Sequence, residues 1–195
     1  MHIIIVKKIN FTQLDINNFM LKFLPFVHLV NYWSQILGFV IYKCSNPNIR
    51  GKIIKNLYEE NCEEYTHVDT FLLFMKEINI NNNNLDFDIK FIPKNLYIEQ
   101  AEKRILEFVL NNTFDDSCQM LGAIEYIYHL ISEDINTYIC KNYNIKPQYH
   151  YTIHEILDIK HATDLFDCST QKINIKNLKF GYDWIVNSIQ SLLNS

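Results

Sequence analysis

Hydrophobic residues recur three and four positions apart along most of the chain, which is the spacing of amphipathic α-helices that bury one face. Ser45-Asn46-Pro47 predicts the start of one helix, and Asp115-Asp116-Ser117 predicts the N-terminal cap of another. The predicted helices cover residues 11–26, 28–43, 47 to about 62, 67–78, 97–111, 117 to about 141, 149–167 and 177–193. Seven or eight helices in a chain of this length predict an all-α bundle, with residues 1–195 in a single domain.

The segment from Ser117 to Ser132 is apolar on almost every side, which predicts a helix buried in the bundle. Its only charged residue is Glu125, and Gly122, one turn earlier, leaves room on the same face. A lone ionised carboxylate in an apolar interior costs several kcal/mol, so Glu125 needs compensation. The sequence leaves three solutions open, which are a proton, an Arg or Lys partner, or a metal ion.

A strip of potential metal ligands lies on the next predicted helix, in the pattern His154-x3-Asp158-x2-His161. Helical positions i, i+4 and i+7 fall on one face, so the three side chains point the same way. Imidazole and carboxylate groups together are the ligands of non-haem iron, manganese or zinc. Because a chain with 7 histidines rarely contains this pattern by chance, it favours metal binding over histidines that only pack or form pairs.

Glu60 and His67 form a second, weaker pair, seven residues apart, which an unbroken helix would put on one face two turns apart. With Glu125 and the strip they make three carboxylates and three imidazoles, the right number for two metal ions, and Glu125 is the natural bridge. Ferritin-like sites use Glu-x-x-His twice. Here that motif occurs only from Glu64 to His67, since Tyr128 stands three residues after Glu125. The pattern therefore predicts a dinuclear centre of another kind.

Composition narrows the classes of function. The chain has 195 residues, of which 48% are hydrophobic, a net charge of -4 and no large basic block, which argues against a nucleic-acid partner. The five cysteines include no C-x-x-C pair, which predicts buried thiols in a reducing cytoplasm. The segment from Met1 to Lys8 is too short for a secretory signal, and the apolar stretch from Phe23 to Tyr42 contains His28, Asn31 and Gln35. We therefore expect no membrane span and a cytoplasmic location.

Three segments of the chain resemble the haem-oxygenase-like diiron oxidase and oxygenase superfamily, whose relatives include the thiaminase-II and pyrroloquinoline-quinone-synthase C proteins. The segments are Asn56-Leu57-Tyr58-Glu59-Glu60-Asn61 followed by His67, the helix that carries Glu125, and His154-Glu155-x-x-Asp158-x-x-His161-Ala162. The order of these ligands and the distances between them match the family, and the likeness extends from about residue 11 to the C-terminus.

The resemblance implies a haem-oxygenase-like bundle that holds two iron ions, with manganese as an alternative, and activates O2. Members of the family cleave C–C bonds, oxygenate nitrogen or desaturate small substrates, so a small-molecule substrate is expected, and a homodimer fits the fold. None of the ligands is a separate acid or base in this interpretation. The implied ligands are Glu60, His67, Glu125, His154, Asp158 and His161.

The nearest local likeness is to the para-aminobenzoate-forming subgroup, which is thought to consume one of its own tyrosines and a lysine. Two positions depart from that subgroup. The segment from Ile3 to Lys8 has no tyrosine, and Ile135 stands ten residues after Glu125, where the subgroup has lysine. Either another residue such as Tyr32 or Tyr126 takes the role of the tyrosine, or the substrate is external, for instance an amino acid or a fatty acid.

Two other functions stay open at this stage. A metal-free, thiaminase-II-like hydrolase needs a buried cysteine nucleophile, and neither Cys118 nor Cys140 has an obvious histidine or acid at helical spacing. A non-catalytic interaction protein has no need for six convergent ligands. Tyr126 and Tyr128 flank Glu125 and are candidates for lining a substrate pocket, although most aromatic residues on such a helix belong to the core.

Overall fold

The computed structural model describes residues 9, 15–61, 65–79, 87–144, 146 and 149–195. Within these residues all regular secondary structure is helical, which confirms the predicted all-α bundle. The helices are α1 (Ile16–Phe23), α2 (Val27–Lys43), α3 (Pro47–Asn61), α4 (His67–Ile78), α5 (Leu96–Asn111), α6 (Phe114–Tyr143), α7 (Tyr149–Cys168) and α8 (Ile175–Leu193). The predictions for the first eight residues and for Glu64 lie outside the described residues.

A proline divides the first predicted helix. Instead of one helix over 11–26, α1 ends at Phe23 and a 3-10 turn, Leu24–Phe26, leads into α2. Pro25 has no backbone N–H to donate to the preceding turn, so the α-helical hydrogen bonds cannot continue through it. At the other end of α1, the Asp15 side chain accepts a hydrogen bond from the Asn18 backbone N–H at 3.0 Å and caps the helix.

The long helix α6 begins three residues earlier than the sequence pattern predicts. Its N-cap is Thr113 and not the Asp115-Asp116-Ser117 segment. The Thr113 hydroxyl accepts from the Asp116 backbone N–H at 3.1 Å, and the Asp116 carboxylate accepts from the Thr113 N–H at 3.2 Å, which is a capping box. Asp115 instead fixes the connection between α7 and α8, where it accepts from the Thr170 hydroxyl at 3.0 Å.

Helix α6 lies at the centre of the bundle and packs mainly against α7 and α8. All residues from Ser117 to Glu125 are buried, as predicted for a helix that is apolar on most sides. Glycines permit the close approach of both neighbours. A Cβ atom on Gly122 would lie 3.1 Å from the Phe166 ring of α7, and one on Gly181 of α8 would lie 2.5 Å from the Met120 carbonyl oxygen. Helix α7 therefore occupies the space beside Gly122 that a larger side chain would need.

We expect Gly181→Ala to destabilise the bundle. The new Cβ meets a backbone oxygen and not a flexible side chain, so α8 must move away from α6, at a cost of about 1–3 kcal/mol in the free energy of unfolding. Gly51→Ala on α3 is the matched control, because nothing lies within 4 Å of its Cβ and alanine is the better helix former by about 1 kcal/mol. Urea unfolding followed by circular dichroism measures both variants. Equal stability of Gly181→Ala and the wild type would contradict the close α6–α8 contact.

One stretch of the described chain, residues 16–43, is long and apolar enough to cross a membrane by length and composition. A core helix of a soluble protein meets the same criterion, and 44% of the most apolar window is buried inside the bundle. Helix α2, which forms most of this stretch, packs against α3, α4 and α5. These contacts place one side of α2 inside the bundle.

Candidate metal centre

The six predicted ligands meet in the interior of the bundle, although they come from four helices. Glu60 lies on α3, His67 begins α4, Glu125 lies on α6, and His154, Asp158 and His161 lie on α7. All six are buried, with no more than 6% of any residue exposed. Acidic and imidazole groups concentrated in this way are costly in an apolar interior unless they are paired with one another or with a cation.

Glu60, Glu125 and His161 form the tightest group in the part of the chain that the structure describes. One potential ligand atom from each lies within 4.8 Å of the others. The Nδ1 atom of His161 faces Oε1 of Glu60 at 3.3 Å and Oε1 of Glu125 at 3.9 Å. Two carboxylates and an imidazole suit a single cation that accepts oxygen and nitrogen ligands.

The other three predicted ligands lie beside this group as paired side chains. His67 Nδ1 contacts Glu60 Oε2 at 2.5 Å, and His154 Nδ1 contacts Asp158 Oδ1 at 2.7 Å. The ring centroids of His67 and His154 are 4.5 Å apart. The buried atoms His154 Nε2 and Asp158 Oδ2 have no hydrogen-bond partner, and a bound cation would satisfy both. The donor set therefore fits a metal centre, although His67, His154 and Asp158 form no second group as tight as the first.

The pKa values of the carboxyl groups in the site are shifted in opposite directions. Burial alone would raise the pKa of Glu60, but His67 and His161 outweigh it and hold that pKa well below its usual range. Burial and the nearby Asp158 raise the pKa of Glu125 well above its usual range, and burial and Glu60 do the same for the pKa of Asp158. The lowered pKa of Glu60 favours its ionised form, whereas the raised pKa values of Glu125 and Asp158 favour their protonated forms.

The pKa values of His161 and His154 are also shifted in opposite directions. Burial alone would lower the pKa of His161, but the interactions with Glu60, Glu125 and Glu59 outweigh it and raise that pKa to about 10. Burial lowers the pKa of His154 to about 4, so this ring is neutral at pH 7. A protonated His161 thus supplies the positive charge that faces the Glu60 carboxylate, where a metal ion could supply it instead.

A cavity of about 50 Å³ adjoins the ligands. Its polar lining residues are Glu60, His67, Glu125 and His154. The rest of the wall is apolar or aromatic and includes Phe26, Leu29, Trp33, Ile124, Tyr128 and Trp184. Trp33 also donates its indole N–H to Oε1 of Glu125 at 3.0 Å, which fixes the orientation of this carboxyl group at the edge of the cavity.

The structure separates the two tyrosines that were predicted to line a substrate pocket. Tyr128 lines the cavity and is 8% exposed, whereas Tyr126 is 48% exposed and is not a lining residue. Successive helical side chains are rotated by about 100°, so Tyr128, three positions after Glu125, returns close to the face of Glu125. Tyr126, one position after Glu125, points toward solvent.

Sequence reasoning missed two contributors to the site. Trp33 is 92 positions away from Glu125, and no local pattern connects the two residues. Glu59 accepts hydrogen bonds from His161 Nε2 at 2.9 Å and from Lys160 Nζ at 2.6 and 2.8 Å. Burial would raise the pKa of Glu59, but these two donors lower it. Only the contact with α7 distinguishes Glu59 from an ordinary surface acid.

His150 extends the ligand strip by one turn and packs beside the centre. Its Nδ1 atom is 2.9 Å from the Thr70 hydroxyl oxygen, and its ring centroid is 4.5 Å from that of His154. Burial, with His154 and His67 close by, lowers the pKa of His150 well below its usual range, so the ring is neutral. In this position His150 supports the His154 ring through packing.

The two cysteines considered as nucleophiles lie away from the cavity. Cys118 is fully buried, and burial together with the neighbouring Cys168 raises its pKa. The Cys140 thiol lies 3.7 Å from the side-chain oxygen of Asn136, and burial raises its pKa too. A thiol with a raised pKa is a poor nucleophile, because the thiolate is the reactive form.

Comparisons with known proteins bear on the fold. No protein-family model matches the chain, and no curated protein matches it. Among solved structures, the chain is similar to a CADD-like protein of unknown function from Nostoc punctiforme PCC 73102, with a TM-score of 0.69. The two share 13% sequence identity, and the match covers 92% of this chain and 83% of that one. The likeness shows that the two chains share an all-α fold.

Proposed function

We propose that this protein is a non-haem diiron oxidase or oxygenase that activates O2 to oxidise a small molecule. The observation that carries the proposal is the convergence of Glu60, Glu125 and His161 in the bundle interior, with three further imidazole and carboxyl ligands beside them. A buried cluster of this kind is costly unless a cation compensates for it. An interaction module has no use for such a cluster, and the cysteines considered as nucleophiles of a metal-free hydrolase, Cys118 and Cys140, do not line the cavity beside it.

In this proposal all six ligands hold metal, and none is left as a separate acid or base. Two bound irons would supply the electrons and the open coordination positions for the reaction with O2. The chain itself supplies orientation and exclusion of water. Trp33 holds Glu125 through its indole N–H, and the burial of all six ligands limits the access of bulk water to them. Since His67 and His154 line the cavity, a substrate in it lies next to the ligands.

The residues that line the cavity favour a small and largely apolar substrate. Among the described residues no Lys or Arg lines it, so a charged group on the substrate would have no partner along the apolar wall. A volume of about 50 Å³ holds roughly three or four water molecules, which is sufficient for O2. A larger substrate requires lining side chains such as Trp33 to move. A fatty acid, with one polar end, suits this wall better than an amino acid.

We propose that the substrate is an external molecule and not a residue of the chain. Ile135, at the position where the para-aminobenzoate-forming subgroup has lysine, is fully buried. Tyr32 and Tyr126, the two candidates for a sacrificial tyrosine, are not lining residues of the cavity. The lysine position is therefore apolar, and neither of these two tyrosines reaches the cavity, where Tyr128 is the tyrosine that contributes to the wall.

Anaerobic titration of the metal-free protein with Fe(II), followed by exposure to O2, tests the proposed function. We expect uptake of two irons per chain, consumption of O2 and an absorption band that develops only when both are present. The double variant His154→Ala and His161→Ala should keep its helical content and lose the iron. Failure to take up iron, manganese or zinc would overturn the proposal, and iron uptake without O2 consumption would leave a metal protein that is not an oxidase.

A further inference from the structure

Glu59 and Glu60 are consecutive on α3, yet both carboxylates reach the imidazole ring of His161. Glu59 Oε2 lies 2.9 Å from Nε2, and Glu60 Oε1 lies 3.3 Å from Nδ1. Consecutive helical side chains diverge by about 100°, so the two can meet one ring only at its opposite edges. Because His161 is fully buried, each of its nitrogens has a defined neighbour.

The nitrogen that faces Glu59 is committed to a hydrogen bond. An ionised carboxylate has no proton to give, so Nε2 carries the hydrogen and donates it to Glu59. Nδ1 is then the nitrogen that can offer a lone pair once a metal ion displaces its proton, and it points toward Glu60 and, at 3.9 Å, toward Oε1 of Glu125. Either nitrogen of a free imidazole can bind a metal, and the partner of the other nitrogen decides which one does.

Glu59 is itself held in place from the outside of the bundle. Lys160, the residue before His161, donates to both oxygens of the Glu59 carboxylate at 2.6 and 2.8 Å. The Glu59 side chain is 13% exposed and that of Lys160 is 40% exposed, whereas the His161 ring is fully buried. A continuous series of contacts therefore runs from solvent to the centre, in the order Lys160, Glu59, His161 and Glu60.

We propose that Glu59 is a positioning residue of the metal centre, which accepts the Nε2–H of His161 and so presents Nδ1 to the ion held with Glu60 and Glu125. The inference rests on the proposed function only in requiring that a metal binds, and it is independent of the reaction. Carboxylates that accept the second N–H of a metal-bound histidine fix its tautomer and raise its basicity. Their loss typically lowers metal affinity by about 10- to 100-fold.

The test compares two substitutions of Glu59 with Zn(II) as the probe. Glu59→Leu removes the acceptor and should weaken Zn(II) binding by about 10- to 100-fold, measured by competition with a chromogenic chelator. Glu59→Gln retains a side-chain oxygen that accepts the Nε2–H, and it should restore most of the affinity. Glu107→Leu, on the exposed side of α5, controls for the loss of an acidic side chain.

A second measurement distinguishes a role of Glu59 in orienting the His161 ring from a role in stabilising the fold. Long-range ¹H–¹⁵N spectra of ¹⁵N-histidine-labelled, Zn(II)-loaded protein report which ring nitrogen binds the metal. For His161 we expect a metal-bound Nδ1 and a protonated Nε2 in the wild type and in Glu59→Gln. This comparison stands even if Glu59→Leu fails to fold.

Three results would overturn the inference. Wild-type affinity in Glu59→Leu, or a His161 that binds Zn(II) through Nε2, would exclude the role of Glu59 and leave the metal centre intact. A wild-type protein that takes up neither Zn(II) nor Fe(II) would overturn the proposed function together with this inference.

Discussion

Glu125→Gln should remove at least one metal ion from the centre and leave the fold intact. Glutamine has the shape of a protonated glutamic acid, and burial already keeps the pKa of Glu125 well above its usual range. The amide oxygen of the variant can also accept the Trp33 indole N–H that now bonds to Glu125 at 3.0 Å. The metal-free protein therefore loses almost nothing, whereas the loaded protein loses an anionic ligand that binds near Glu60 and His161.

The expected effect on metal binding is large. Loss of a group that only supports a ligand costs about 10- to 100-fold in affinity, so loss of a ligand should cost at least about 100-fold. Iron per chain, determined after anaerobic loading and desalting, measures the change, and circular dichroism checks the helical content. Glu133→Gln, on the exposed side of the same helix, is the matched control. Full iron content in Glu125→Gln would mean that Glu125 is a protonated core residue and not a ligand.

The helical bundle could be predicted from the sequence because the spacing of hydrophobic residues within each helix indicates which face is buried. The ends of the helices were less predictable, since they depend on single side chains. Pro25 ends α1 three residues before the periodic pattern does. Thr113, which has no hydrophobic period to mark it, starts α6 through its capping box with Asp116.

The candidate site was predictable where its ligands share one helix or stand out from their surroundings. His154, Asp158 and His161 mark one face of α7 by spacing alone, and the lone charge of Glu125 in an apolar helix signals a compensating group. The same reasoning could not find Trp33, because its contact with Glu125 depends on how α2 packs against α6.

The spacing of residues along the sequence also could not show which atoms face one another within the site. One-dimensional patterns place His161 among the ligands, but only the packing of α3 against α7 decides that Nε2 faces Glu59 and Nδ1 faces Glu60. Likewise, Tyr126 and Tyr128 flank Glu125 equally in the sequence, and the direction of the cavity selects Tyr128 alone. The sequence could therefore predict which residue types meet in the bundle interior, but not which of their atoms face one another.

Metal uptake should release protons, and metal affinity should rise with pH. The pKa of His161 is raised to about 10, so this ring carries a second proton at pH 7, and burial raises the pKa values of Glu125 and Asp158 well above their usual range, which favours their protonated forms. A ligand atom must lose its proton before it binds a metal ion. His154, with its pKa lowered to about 4, is already neutral and releases nothing.

The sign of the effect follows from this competition between protons and metal. Each proton that the metal displaces makes the apparent affinity rise by about tenfold per pH unit, as long as the pH stays below the pKa of that group. Zn(II) titrations at about pH 6 and about pH 8 in weakly buffered solution, with a pH indicator to count released protons, measure both quantities. An affinity independent of pH, with no proton release, would mean that the metal binds elsewhere, because His161 cannot bind it without first giving up a proton.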